Sequence, residues 1–172
     1  DWDEISIGDK EVGYMMDVEY IHPKDDKKRR KIDLANDAIY FEEGYLTPTQ
    51  INLIFKYLPI DITYVDENDK VIFYNNGDER IFPRSPGIIG REVKFCHPPK
   101  SVDNVLKILE EFKFGTKDSA EFWINFKDSF IHIRFFAIRD KDRNYKGVME
   151  ITQNVSDIKA LEGERRILDW QS

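Results

Sequence analysis

A chain of 172 residues with twelve Phe, eight Tyr and three Trp is long enough to close one domain around a real core, with room for an appendage. Its net charge of −7 opposes nucleic-acid binding, and the one dense basic run, Lys24 to Lys31, is diluted by Asp25 and Asp26. No apolar stretch reaches the ~20 residues that span a bilayer and no signal peptide is visible, so neither a membrane nor a nucleic acid is expected as a partner.

A single cysteine excludes an internal disulfide and points to the reducing cytoplasm. The chain opens on Asp1 rather than Met, which reads as a segment of a longer protein.

Residues Glu4 to Met16 read as a hairpin: Ile5 and Ile7 alternate, Gly8-Asp9 supplies the turn, and Val12, Tyr14 and Met16 alternate again. A charged linker follows from His22 to Lys31, closing a first region over residues 1–46. A second region, 47–158, opens on Thr47-Pro48-Thr49-Gln50, where Thr47 caps a helix, Pro48 fits its first position and Gln50 completes a capping box. Two strand patterns come next, Ile60 to Asp66 and Lys70 to Asn75, around the polar turn Glu67-Asn68-Asp69.

The stretch from Gly77 to Gly90, with Pro83 and Pro86, predicts short helical turns. Ser101 then caps a helix that Gly115 stops. Between them Val102, Val105, Leu106, Leu109 and Phe112 form one apolar face. Three strands follow: one alternating through Phe122, Ile124 and Phe126; one from Phe130 to Ile138, apolar on both faces; and one from Tyr145 to Val155. Ser156 is the expected cap of an exit helix running to Trp170 (region 159–172), in which Ile158, Leu161 and Leu168 suggest a short coiled-coil seam. The fold class is α+β, a five-stranded antiparallel sheet with helices over one face. The doubly apolar strand requires a second cover, from the N-terminal segment or from a partner subunit.

Two strands, short helical turns, a long helix, three antiparallel strands and an exit helix resemble the layout of a PAS domain over Ile60 to Ile158. Asp61 to Asp69 looks like the first PAS strand and its turn, Ile89-Gly90-Arg91 like the Ile-Gly-Arg before the His-Pro element, and Gln153 to Ile158 like the closing strand and exit. From Leu46 to Trp170 the chain is more specifically similar to the C-terminal PAS segment of an uncharacterised prokaryotic family that also carries hemerythrin-like domains. The matching runs are Leu58 to Thr63 (with Ile60 for that family's Val), Arg80 to Arg84, Cys96 to Ser101, Phe122 to Ile124 and Leu161 to Arg166. The resemblance implies a sensory or regulatory module. No hemerythrin-type metal-ligating pattern is present, so di-iron chemistry does not carry over.

Cys96-His97 combines two good ligands for soft or borderline cations, including haem iron. Adjacent residues seldom converge on one metal, however, and His-Pro also shapes the entry to the following helix. Lys94, Lys100 and the helix amino end favour a thiolate at Cys96 if it acts as a thiol sensor. Arg80, Arg84 and Arg91 around the proline-rich loop are able to grip a carboxylate or phosphate. The competing reading ties them to Asp61, Asp66, Glu79 or Glu92 as structural ion pairs.

Trp123 offers a flat ring to a planar ligand or is simply core. His132 and Arg134 line the pocket, meet a partner, or form a cross-strand ion pair with Glu121. The flavin-photosensor run Asn-Cys-Arg-Phe-Leu-Gln is absent, as are a catalytic nucleophile–base–orienter set, a phosphate-binding Gly loop and a histidine-kinase motif. The expectation is a non-enzymatic module that binds a small ligand between helix and sheet and relays it through a homodimer. The cofactor is undetermined. The alternatives are a ligand-free dimerisation module and a metal or haem redox sensor using Cys96 and His97.

Overall fold

Period-two alternation after Ile60 builds the centre of the molecule, whose computed structural model describes residues 6–7, 10–11, 37–78 and 80–166. The chain divides into two compact units, Pro48–Ala160 and the segments Asp1–Thr47 with Leu161–Ser172. In the latter, β1 (Ser6–Ile7) pairs antiparallel with β2 (Lys10–Glu11), Ile7 opposite Lys10; the expected turn residues Gly8-Asp9 lie outside the described residues. The hairpin's outer residues and the linker from His22 to Lys31 lie outside the described residues. A second small hairpin, β3 (Ile39–Tyr40) with β4 (Tyr45–Leu46), has no counterpart among the sequence expectations; Gly44, at φ 81°, makes its turn.

The larger unit begins with α1 (Pro48–Tyr57), starting at the expected proline. Its sheet contains β5 (Asp61–Asp66), β6 (Val71–Tyr74), β7 (Ser119–Phe126), β8 (Ser129–Arg139) and β9 (Tyr145–Asn154), all antiparallel, in the order β6-β5-β9-β8-β7. The first strand therefore lies beside the last, which brings the two halves of the sequence into one surface. Between β6 and β7 run two short 3₁₀ turns, Pro86–Ile88 and Val93–Phe95, and the long helix α2 (Pro99–Phe114).

The sheet's inner face carries Val65, Val148 and Phe135, which pack under Val105, Ile108, Leu109 and Phe112 of α2. Phe112 is 1% exposed, so the sheet and this half of the helix meet as a filled core. On the other face, α1 places Phe55 against Phe73 with ring centroids 4.8 Å apart.

Two boundaries differ from expectation. The helix α2 starts at Pro99, two residues before Ser101, because Pro99 brings a preset φ to the first turn. Pro98 occupies the cap position, and the Ser101 hydroxyl donates back to the Pro98 carbonyl (3.2 Å). The exit helix α3 (Ser156–Lys159) is a single turn, and residues 161–166 carry no helix. Ile158 and Leu161 are 55% and 76% exposed, so no buried stripe sustains the helix, and Gly163 turns left-handed at φ 65°. The seam residue Leu168 lies outside the described residues, as does Trp170. Ser156 is not the cap either: its hydroxyl accepts from Phe130 N (2.8 Å) and donates to Asn154 Oδ1 (2.7 Å), stitching β8 to β9.

Two glycines separate strain from crowding. Gly115 ends α2 at φ 74° with open space where a Cβ would stand, whereas at Gly147 (φ 135°) a Cβ would lie 2.1 Å from the Val65 carbonyl oxygen. Chemical denaturation of Gly115→Ala is expected to show a loss of ~1–2 kcal/mol, the left-handed penalty alone. Gly147→Ala is expected to lose more than ~3 kcal/mol, because β5 and β9 must also separate.

Candidate functional site

The inner sheet face changes character along its length. Beyond the apolar half under α2, the side chains are Asp61 and Thr63 on β5 and Glu150 and Thr152 on β9, with Thr63 directly opposite Glu150. Asp61, Thr63 and Thr152 are at most 8% exposed, so this polar surface lies inside the domain. The loop after β6 crosses it: Phe82 reaches Phe126 at the end of β7, with ring centroids 5.4 Å apart.

Asn75 anchors that loop. At 2% exposure its Oδ1 accepts from Ile62 N (2.6 Å) and Arg80 Nη1 (3.1 Å), while its Nδ2 donates to Phe55 O (3.0 Å) and Ile60 O (2.8 Å). Both ends of the amide are therefore fully used. Arg80 spends its donors on the chain itself: Nε on Phe82 O (3.1 Å), Nη1 on Asn75 O (2.7 Å) and Nη2 on Thr63 Oγ1 (3.0 Å). Its guanidinium lies 3.8 Å from Asp61, whose other oxygen accepts from Ile81 N (2.8 Å). Burial raises the Asp61 carboxyl above its usual range and lowers Arg80, while their mutual attraction opposes both shifts.

Arg84 differs. Its side chain is 12% exposed and lies 3.7 Å from Glu150, itself 12% exposed, a distance at which the charges attract without a hydrogen bond. Its Nε is buried and has no partner among the described residues. His97 is half-buried in the same field. Burial lowers its pKa below the usual imidazole value, Glu150 opposes that shift and Arg84 reinforces it, so the ring is neutral at pH 7. Arg84, Glu150 and His97 thus form a polar cluster with unspent donor capacity, held over a rigid sheet.

The remaining residues singled out from sequence lie elsewhere. Cys96 packs against the apolar core, its thiol 3.7 Å from the Glu92 carbonyl. Arg91 is exposed, and its backbone carbonyl accepts from Val71 N at the sheet edge (3.0 Å). Trp123, His132 and Arg134 occupy the opposite face of the sheet from Arg84. His132 there pairs with Glu121 across strands (3.0 Å), and Arg134 Nε is buried without a partner among the described residues. Lys94 is drawn off by Glu92 (2.5 Å), and Glu79 lies outside the described residues. Among the described residues no three His, Cys, Asp or Glu side chains gather as a metal site would require.

Sequence reasoning missed Asn75, Glu150 and Thr152. Strand parity carried a signal for the last two, since Val148, Glu150 and Thr152 share one face of β9. Asn75, between a strand end and a loop, had none.

A sheet in this order with a helix and a loop across one face defines the PAS fold. A PAS domain family model matches residues 51–156, and the chain belongs to that family. The crystal structure of the C-terminal domain of a Streptococcus mutans protein is 33% identical, covering 73% of this chain and 97% of that one, with a TM-score of 0.68. A PAS domain from Colwellia psychrerythraea (20% identity, 63% and 97% coverage, TM-score 0.47) and a sensory box histidine kinase from Vibrio cholerae (12%, 63% and 90%, 0.47) are also similar. No curated protein matches.

Asn75→Ala is expected to cost at least ~3 kcal/mol in denaturant unfolding, because it orphans Ile62 N and two carbonyls at once. The depressed pKa of His97 means the unfolded chain binds its proton first. Its contribution to stability is therefore intact above the unfolded pKa of 6.5 and falls as pH drops below that value. Unfolding free energies measured from pH 7.5 to 5 are expected to fall less steeply in His97→Gln than in the parent.

Proposed function

We propose that this PAS domain is a cytoplasmic sensory or regulatory module that takes a small anionic ligand, a carboxylate or phosphate compound, on its inner sheet face. The observation carrying this reading is Arg84: a guanidinium 12% exposed, with its Nε unpartnered and its neighbouring carboxylate at 3.7 Å. A buried cation with donors to spare is costly unless something completes its shell. A ligand anion bound bidentately supplies what Glu150 leaves unmade. Neutral His97 adds a hydrogen bond without a charge. Arg80 shapes the site from behind, because its own donors are committed to the chain.

Because the cluster lies between β9 and the loop from β6, occupancy biases the position of that loop. Dimer contacts on the outer sheet face then relay the change as a population shift. The module is read as regulatory rather than catalytic. Among the described residues no helix is long and apolar enough to cross a membrane. Its attachment to hemerythrin-like domains in a longer protein belongs to the same proposal and rests on the sequence strings alone.

A ligand-free dimerisation module is the second reading, favoured by Trp123, which stands 61% exposed on the outer face. The redox-sensor reading has less to stand on, since Cys96 turns into the apolar core and its neighbour His97 keeps company with Arg84 and Glu150.

Thermal shift against acetate, phosphate, citrate and amino acids, with native mass spectrometry of freshly purified protein, tests the proposal. One or more of these anions is expected to raise Tm by several degrees in the parent and not in Arg84→Gln. A parent that responds to none and carries no bound mass would leave the ligand-free reading standing.

A further inference from the structure

The two edges of the sheet are finished differently. At the β6 edge the loop closes the ladder: Gly90 N donates to Val71 O (2.8 Å), Val71 N to Arg91 O (3.0 Å) and Val93 N to Asp69 O (2.8 Å), and Lys70 bridges Glu92. The β5–β6 register is also broken by an irregularity between Tyr64 and Val65. Such devices stop a sheet from recruiting further strands.

The β7 edge has none of them. Its eight residues, Ser-Ala-Glu-Phe-Trp-Ile-Asn-Phe, pair with β8 in one unbroken register from Ser119↔Phe136 to Phe126↔Ser129. There is no proline and no bulge. Glu121 to Asn125 are all exposed, with Phe122 at 40%, Trp123 at 61% and Ile124 at 39%.

The direction of the free backbone groups follows from the register. Ala137 N donates to Asp118 O (2.9 Å), and the two-residue turn at Lys127-Asp128, both at positive φ, closes on the Phe126–Ser129 pair. Residues 118, 120, 122, 124 and 126 therefore turn their N–H and C=O toward β8. Ser119, Glu121, Trp123 and Asn125 turn theirs outward, and β7 pairs with no other strand among the described residues.

An open cleft of about 380 Å³ runs beside this edge, between α2 and β7, lined by Ile108, Phe112, Ala120 and Phe122, with Lys107 and Lys117 among its polar groups. The charge balance there is local and opposite in sign to that of the chain. In the cleft Lys107 and Lys117 outnumber Glu111, whose carboxylate accepts from the Thr116 hydroxyl and keeps its charge. Asp118 beside it pairs with Arg139 (2.8 Å), and Glu121, bonded to His132 (3.0 Å), projects from the other face of the sheet. Lys107 and Lys117 have no partner among the described residues.

We propose that β7 is a docking edge for an extended acidic peptide of another protein, which adds to the sheet as a sixth strand. Its backbone pairs with Ser119, Glu121, Trp123 and Asn125. Its inward side chains enter the cleft, the apolar ones against Phe122 and Ile108 and the acidic ones against Lys107 and Lys117. The edge is distinct from the Arg84 cluster and does not depend on that site holding a ligand.

A fluorescein-labelled octapeptide with Thr at its outward positions and Val and Glu in turn at its inward ones (the Glu-Val peptide), titrated against the intact chain by anisotropy, is the probe. Three comparisons accompany it: the same peptide N-methylated at alternate residues, its Lys-Val counterpart, and the protein variants Asn125→Pro and Lys107→Glu/Lys117→Glu. Asn125→Pro removes an outward N–H while leaving the β8 ladder whole. The Glu-Val peptide is expected to bind saturably, and each comparison to weaken binding about tenfold or more, as loss of one ladder bond or of paired charges implies. If Asn125→Pro does not fold by circular dichroism, the N-methylated peptide reads the same ladder. Equal binding of the N-methylated or Lys-Val peptide overturns the proposal, and so does no binding of the Glu-Val peptide. A homodimer in sedimentation that Lys107→Glu/Lys117→Glu leaves intact while Asn125→Pro dissolves it also overturns it, because the edge then belongs to a second copy.

Discussion

One buried amide holds the working parts of this domain in register. The Asn75 side chain joins the end of α1, both ends of the first strand's entry and the Arg80 guanidinium through four hydrogen bonds. Arg80 then extends the tie to Thr63 and Phe82, and Asp61 fastens Ile81. A fully satisfied polar network in a low-dielectric interior is rigid because every alternative arrangement orphans a donor or acceptor. The loop crossing the sheet is therefore fixed at its root, and Arg84, four residues on, inherits that fixed position.

The division of the inner face follows from what each strand contributes. Val65, Val148 and Phe135 fill the half under α2 with close-packed carbon, which supplies the hydrophobic stabilisation of the unit. The other half keeps Thr63, Glu150 and Thr152, groups that contribute little to burial and are tolerated only because partners surround them. Stability and recognition are thus separated along the same strands. The buried Tyr145 hydroxyl, without a partner among the described residues and with its pKa pushed up to about 12, is an exception inside the stable half for which their packing offers no compensation.

Much of this was legible in the sequence. Alternation in Ile131, Ile133, Phe135 and Ala137, the i, i+3, i+4 pattern from Val102 to Phe112, and the turn residues between strands each dictate an element through local geometry. Element order and the motif strings then gave the sheet topology by resemblance. Boundaries set by competing local chemistry were less legible. Pro98-Pro99 started α2 ahead of Ser101, and the Ser156 hydroxyl went to a neighbouring strand rather than to a helix. The exit helix failed because an apolar stripe sustains a helix only when something buries it, and sequence periodicity does not report burial.

The candidate site was half legible for the same reason. Arg80, Arg84 and His97 were visible as chemistry, but which guanidinium is spent and which is free depends on partners far apart in the chain, such as Asn75 and Glu150. The resolved ¹H–¹⁵N Nε signals of Arg80 and Arg84 in the intact protein test the central claim most directly, with an anion such as citrate titrated in. The Arg84 signal is expected to be protected from solvent and to shift saturably while that of Arg80 stays in place. A moving Arg80 beside an unresponsive Arg84 would contradict the assignment of one arginine to structure and the other to recognition.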